Sequence, residues 1–514
     1  MNHLPIAPIL LPLIAGSVLL LSARWSATAR HAFSLAAAAG QLATALMLFA
    51  TVRDGTVLVY ALGGWAPPFG IVLVADRLAA TLVVLTGVVA CASLLYAVAR
   101  DTGASAPRFH ALFQFQLLGI QGAFLTGDLF NLFVFLEVLL IASYALLLHG
   151  LTPDRVKAAL HVVVLNLIGS GLFLLGVALI YGVTGTLNLA DLARVIPALT
   201  SADAPLARTG ALLLLVVFAL KSALLPLGFW LPRAYGAAAA AVAALFAVLT
   251  KVGVYAVLRV YPLAFGPQAG ELANVAEAWI LPLALATLAF GALGVLAARS
   301  LRIAAGWVVV YSVGSLLVAV ALFSAGGYAA AIYYMVHSTL ASAALFLVVD
   351  LVAADRTTAG DRLDAADAMP HGALLGSFFF FTAVAVAGVP PLSGFVGKVL
   401  ILDAAGAHPA AALIWSSLLV AALVVIVAFA RAGSAVFWRT VPAPAGAPAP
   451  PRPSLAALAA PAAILGCVAA LVIWGGSATA FAQAAARDLD NPAGYIEAVL
   501  GGDHAQPDDR RRLR

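Results

Sequence analysis

The chain has 514 residues, 64% of them hydrophobic and 10% charged, and its mean hydropathy is +1.07. A water-soluble fold cannot be built with so little polar surface. Long apolar runs recur from end to end, which predicts an all-α polytopic membrane protein, and the alternation that a membrane barrel needs is absent. The net charge of +5 carries no nucleic-acid signature, because the basic residues stand singly in loops apart from a cluster at 510–512.

With about 20 apolar residues per crossing, fourteen helices are predicted, near 4–22, 31–51, 72–98, 109–126, 129–149, 158–183, 208–231, 237–262, 277–298, 303–324, 328–353, 371–402, 409–438 and 455–476. The first run lacks a basic leader region and is long enough to span, so it is read as a helix rather than a signal peptide. The least secure boundary is 126–128, between helices 4 and 5. Loops after odd-numbered helices hold fourteen Arg and Lys; those after even-numbered helices hold five, namely Arg53, Arg77, Arg194, Arg208 and Arg259. The richer set is expected on the cytoplasmic side, which puts both termini outside. The segment 441–453 is too proline-rich for a helix and reads as an extended cytoplasmic linker. The polar residues 501–514 read as disordered.

Within these spans the ionisable residues are few. Glu137 sits mid-helix in DLFNLFVFLEVLLIASYALL, Lys221 and Lys251 lie in helices 7 and 8, His337 in helix 11 and Lys398 in helix 12. An ammonium among lipid tails costs roughly 2.5–3.5 kcal/mol on insertion scales, so such residues mark ion or proton routes more often than packing accidents. One carboxylate cannot neutralise three ammoniums. Desolvation favours the uncharged lysine and a nearby carboxylate the charged one, so a Glu137 moving relative to Lys221 would load and unload a proton. The plainer alternative is a structural ion pair between two helices.

Helix 7 carries Pro226 and helix 12 carries Pro390 and Pro391, which withhold hydrogen bonds from the carbonyls of Ser222, Val386 and Ala387. Freed carbonyls at membrane depth need water or a polar partner. Pro226 alone is equally compatible with a simple kink, whereas Pro390–Pro391 with Ser393 and Gly394 predicts an unwound segment. The motif PLGF at 226–229 is echoed by PLSGF at 391–395, each near a lysine, as in transporters built from paired repeats. His337 belongs to a polar stripe with Tyr334, Ser338 and Ser342. It suits a proton relay or an interhelical hydrogen bond. Asn166 and Ser170 on helix 6 read as interhelical hydrogen bonds, and His161 is weakly placed. Cys91 and Cys467 stand alone, with no haem or iron–sulfur spacing, and no Walker A motif is present. No cofactor and no metal site is expected.

The segments DLFNLFVFLEVLLIASYALL, LNLIGSGLFLLGVALIYGVTGTLNLADLA, ALKSALLPLGFWLPRAY, LTKVGVYAVLRVY and AGVPPLSGFVGKVLIL resemble the antiporter-like membrane subunits shared by respiratory complex I, membrane-bound hydrogenases and Mrp-type cation/proton antiporters. They are most similar to the D-subunit branch of the last. The resemblance covers about 70–440. It implies a key pair Glu137–Lys221, a relay lysine Lys251, the helix-11 histidine His337 and a terminal lysine Lys398. It also implies two inverted five-helix repeats, helices 4–8 and 9–13, with helices 7 and 12 broken. The division is then 1–106 (helices 1–3), 107–262 and 277–438 (repeats), 439–454 (linker), 455–476 (helix 14) and 477–514 (tail). Many relatives carry lysine where Ser342 stands. The implied role is that of a secondary ion transporter subunit rather than an enzyme, in a bacterial inner membrane. It would exchange Na+ or K+ for protons with partner subunits, with a redox-driven proton pump as the alternative.

Overall fold

The computed structural model describes residues 3–22, 24–101, 106, 108–356, 359–441 and 450–501. Most of the linker and the tail beyond 501 lie outside the described residues. Helices α1 (Ala7–Leu21) and α2 (Ala27–Val52) are followed by a two-stranded antiparallel hairpin, β1 (Leu58–Ala61) and β2 (Val72–Ala75), with Leu58 opposite Ala75. Then come α3 (Arg77–Arg100), α4 (Phe109–Leu125), α5 (Leu129–Leu148), α6 (Pro153–Thr184) and the short α7 (Leu189–Val195). Next are α8 (Ala204–Ser222), α9 (Leu231–Ala237), α10 (Ala240–Phe246), α11 (Leu249–Ala264), α12 (Glu277–Ala297), α13 (Leu301–Val320) and α14 (Ala325–Asp355). After β3 (Ala366–Asp367) follow α15 (Gly372–Ala387), α16 (Ser393–Ala405), α17 (Ala411–Phe437), β4 (Thr440–Val441), α18 (Leu455–Ile473), α19 (Gly475–Asp490) and α20 (Ala493–Leu500).

Among the described residues, twelve helices are long and apolar enough to cross a membrane, counting α10 and α11 as one. The other two predicted crossings are α4, of 17 residues, and the interrupted pair α15–α16. The α4–α5 boundary is real. Asp128 caps α5 by accepting from Asn131 N at 2.8 Å. Gly127 N donates to Val72 O and Leu129 N to Leu187 O, each at 2.9 Å, so the turn is sewn to β2 and to the loop before α7.

Two expectations are corrected and two elements are added. Residues 72–75 belong to a strand rather than to helix 3, because the β1 ladder takes their backbone groups. The tail contains two helices: α19 buries Ala482, Ala485, Ala486 and Leu489, and packs against α14. Arg259 is not a loop residue. It is buried in α11, where both Nη atoms hold the Asp76 carboxylate at 2.6 and 2.8 Å.

The pair α10–α11 together with α13 and α14 is buried almost all round, while α1, α2, α6, α17 and α18 form a half-exposed rim. Helices α4 and α5 pack so closely that a Cβ on Gly119 would lie 2.5 Å from Leu139 N and one on Gly122 2.2 Å from the Phe135 ring. The same two distances recur for Gly291 against Tyr311 N and Gly294 against the Trp307 ring, where α12 meets α13. One sequence offset relates all four pairs, so the repetition hinted at by PLGF and PLSGF has a counterpart in packing.

Candidate functional site

Both breaks are open. Between α8 and α9, residues 223–230 run as turns, and Leu225 N donates to Thr287 Oγ1 at 2.9 Å. Between α15 and α16, residues 388–392 leave the helical path, with Gly388 in the left-handed region at φ 70°. The first break is therefore as much an unwound segment as the second, and Pro226 is more than a kink. Ala387 O, one of the carbonyls freed ahead of Pro391, accepts Lys398 Nζ at 2.5 Å. The opened backbone thus supplies the polar partner that a lysine at this depth needs.

Glu137 is the ninth residue of the twenty in α5 and is half-buried. It makes no ion pair with Lys221 within 4 Å, contrary to expectation; α6 stands between them. The Ser170 hydroxyl reaches both Glu137 Oε1 and, at 2.9 Å, Asn166 O. One turn earlier, Asn166 Oδ1 accepts Lys221 Nζ at 2.9 Å, while its Nδ2 donates to Val162 O at 2.9 Å and fixes the amide orientation. The two residues read as simple interhelical hydrogen bonds are thus the connection between the acid and the base. Ser170 has one proton and two acceptors. The Glu137 carboxyl and the Asn166 carbonyl are the two acceptors within its reach.

Lys251, fully buried at 0% exposure, donates to Ser312 Oγ at 3.2 Å on α13, with Thr250 Oγ1 at 3.5 Å. The preceding residue, Tyr311, carries the Lys398 ammonium over its ring at 5.2 Å, a contact worth up to about 2 kcal/mol when desolvated. So α13 lies between the two lysines and touches both. His337 on α14 is buried, and its Nδ1 shares a 2.8 Å hydrogen bond with Ser393 Oγ at the start of α16. The Tyr334 and His337 rings stand 5.7 Å apart. Ser342 Oγ, buried further along α14, has no protein partner among the described residues.

The five predicted ionisable residues therefore fall into two groups: Glu137 and Lys221 are linked through Ser170 and Asn166, and Lys251 and Lys398 both touch α13, with His337 bonded to Ser393 on the helix that carries Lys398. Sequence reasoning missed Ser312, Tyr311, Thr250 and Thr287. The available signal was the polar run of Tyr311, Ser312 and Ser315 inside an otherwise apolar helix. Gly394 is required at its position, because a Cβ there would lie 2.2 Å from Ala385 O and 2.8 Å from His337 Nε2. Gly394→Ala should displace His337 and destabilise the protein by about 1–3 kcal/mol, the usual range for overpacking. An unchanged thermal midpoint in detergent would contradict this.

A polytopic helical bundle with two opened helices and a buried set of titratable groups belongs to the class of ion-translocating membrane subunits. Residues 126–429 match the family described as NADH:quinone oxidoreductase/Mrp antiporter, TM. The chain is 40% identical to the D subunit of a probable K+/H+ antiporter from Rhizobium meliloti (strain 1021), over 98% of its own length and 99% of the relative's. It is 37% identical to the D subunit of a Na+/H+ antiporter from Bacillus subtilis (strain 168), over 97% and 100%. Its fold matches a chain in the structure of the Mrp complex from Dietzia sp. DQ12-45-1b with a TM-score of 0.86 at 28% identity, covering 98% and 100%. The chain belongs to this family of NADH:quinone oxidoreductase and Mrp antiporter membrane subunits, and these curated relatives are antiporter D subunits.

Proposed function

We propose that this protein is a proton-translocating membrane subunit of a multisubunit Na+ or K+/proton antiporter, driven by the proton-motive force. Protons move along Glu137, Lys221, Lys251, the His337 region and Lys398. The observation that carries the reading is a pair of joints between the ionisable residues. Ser170 and Asn166 join Glu137 to Lys221, and α13 joins Lys251 to Lys398. Among the described residues, neither lysine of that second pair has a carboxylate within 4 Å, so neutral hydroxyl and carbonyl partners hold them and leave them free to change charge. The two opened helices are the moving parts, one beside Lys221 and one beside Lys398. Helices α4 to α11 and α12 to α17 form two repeats that each contain one of them.

Partners are other antiporter subunits in a bacterial inner membrane, with the N-terminus outside and the arginine-rich loops in the cytoplasm. The relatives' names give K+ in one case and Na+ in the other, and both are candidate cations here. The complex, purified and reconstituted with an acid interior, should dissipate its pH gradient when Na+ or K+ is added outside. A complex that co-purifies with flavin or iron–sulfur subunits and shows no such response would make it a redox-driven pump instead.

A further inference from the structure

Resting on the membrane orientation given above, we propose that an anionic phospholipid of the cytoplasmic leaflet seats in a groove between α15 and α17. Its acyl chain packs against the second helix break. The groove has a volume of about 850 Å³ and lies on the half-exposed rim to which α17 belongs. One end is at Met369, Trp438 and Thr440, and the other is at Ala387 and Val389, beside the opened segment. The wall between is apolar. Gly376, Ala383 and Gly433 leave room, and Phe380, 70% exposed, offers its ring to whatever fills the space.

Length selects the occupant. On α17 the wall runs from Ile426 to Phe437, a rise of about 16 Å, and none of the lining comes from 411–425. On α15 the groove stops where the helix stops. This is half of the roughly 30 Å hydrocarbon core. A partner's spanning helix needs a seat across the whole core, whereas an acyl chain occupies one leaflet.

Charge selects the headgroup. Ala430 and Ser434 line this groove and also an adjoining pocket that contains Arg431 and Arg439. Both arginines are exposed, and among the described residues neither has a carboxylate within 4 Å. No Asp or Glu lines either pocket, and the chain over 440–453 contains none and adds Arg452. On the loop that joins α14 to α15, Asp361 accepts from Arg302 N and Asp364 is paired with Arg362 at 2.5 Å. Asp367, in the strand beside Thr440 and Val441, is the acid of that loop left to face the free arginines. The mouth of the groove is therefore positive, which suits a phosphate. Trp438, 77% exposed at the same end, marks the headgroup level, where indoles prefer to sit.

The inner end concerns the break. Ala387 lines the groove, and its freed carbonyl accepts Lys398 Nζ. A seated chain keeps water off the outer side of the opened backbone, so that the polar partner left to this carbonyl is the lysine. The lipid is thus a ligand of the opened helix, placed by its charge at one end and by its length at the other.

The test uses the complete complex in detergent, stripped of lipid and supplied with dioleoyl phosphatidylglycerol or dioleoyl phosphatidylcholine. Lipid retained per complex is counted by native mass spectrometry. Wild type should hold the anionic lipid more tightly. Arg431→Gln and Arg439→Gln should each weaken phosphatidylglycerol retention about fivefold, the effect of one basic side chain at an anionic surface, and leave phosphatidylcholine unchanged. Gly376→Leu, whose first added carbon would lie 3.4 Å from the Phe437 ring, should exclude both lipids. The arginine variants change exposed side chains alone, so they decide the matter even where Gly376→Leu disturbs folding. A photoreactive side chain placed at Ser377 should label phospholipid in native membranes. Equal retention of the two lipids by wild type, or unchanged retention in the arginine variants, overturns the site. So does label on another subunit, which would make the groove a protein interface. Retention does not depend on transport, so a complex that fails to exchange cations would sink the proposed function and leave this result standing.

Discussion

Antiport by the assembled complex should fall to background when Glu137 is replaced by glutamine or Lys221 by methionine. Both substitutions conserve volume, and both remove an ionisable group. Glutamine still offers an oxygen to Ser170, so the α5–α6 contact made there survives. Methionine leaves Asn166 Oδ1 without its donor, at a cost of about 1–3 kcal/mol. That penalty is a fraction of the stability of a bundle this size, so the complex should still assemble. The transport loss should be far larger, because deleting a proton-transferring group typically costs roughly 10²–10⁴-fold. Glu137→Gln is the sharper of the two, since it removes the acid while the contact with Ser170 survives. The measurement is vesicle antiport normalised to complex recovered by native gel. Near-normal activity in either variant would remove the Glu137–Lys221 joint from the mechanism.

Much of this was legible in the sequence because hydropathy and charge act over whole spans. Fourteen crossings, five ionisable residues at membrane depth and two breaks follow from 20-residue windows and from the chemistry of proline, and the helices lie where those windows put them. The joints between residues were not legible. Periodicity identifies a buried face but not the helix across from it. Asn166 and Ser170 therefore read as generic contacts, until α6 is seen between α5 and α8. Ser312 stood out as part of a polar run, but its partner did not: one hydroxyl in an apolar helix carries no sign of which lysine it will meet. The short elements failed differently. A four-residue strand such as Val72–Ala75 is indistinguishable from the end of an apolar helix. The α19 segment, rich in alanine with polar residues on one side, is amphipathic rather than apolar, so a search for membrane spans passes over it.

The same limitation hid the contact that holds one face of the protein together. Asp76 caps α3 by accepting from Ala79 N at 2.9 Å and receives both Nη groups of Arg259 from α11. The Arg259 guanidinium lies over the rings of Tyr255 and Tyr495, at 5.4 and 5.1 Å, and Tyr255 donates to Phe124 O at 2.7 Å. Four elements, α3, α4, α11 and α20, therefore meet on one bidentate pair that is almost entirely removed from solvent. Asp76→Asn would leave Arg259 buried without a counter-charge, a change that typically costs about 3–5 kcal/mol. The expected result is a marked loss of folded protein in detergent, with α20 released first because Tyr495 is its anchor.

The pH dependence has a definite sign. Burial pushes the Asp76 carboxyl up, but the Arg259 charge and hydrogen bonds more than offset it and hold the group below its ordinary value of 3.8. A depressed carboxylate contributes stability that is fully present above its unfolded value and is lost as pH falls through the folded one. The gap in thermal midpoint between wild type and Asp76→Asn should therefore be constant from about pH 8 to pH 5, and should narrow only below the ordinary carboxylate range near 3.9. A gap that closes already between about pH 7 and pH 5 would mean that the pair titrates within the working range, and Asp76 would then have to be counted among the proton-carrying groups rather than the structural ones.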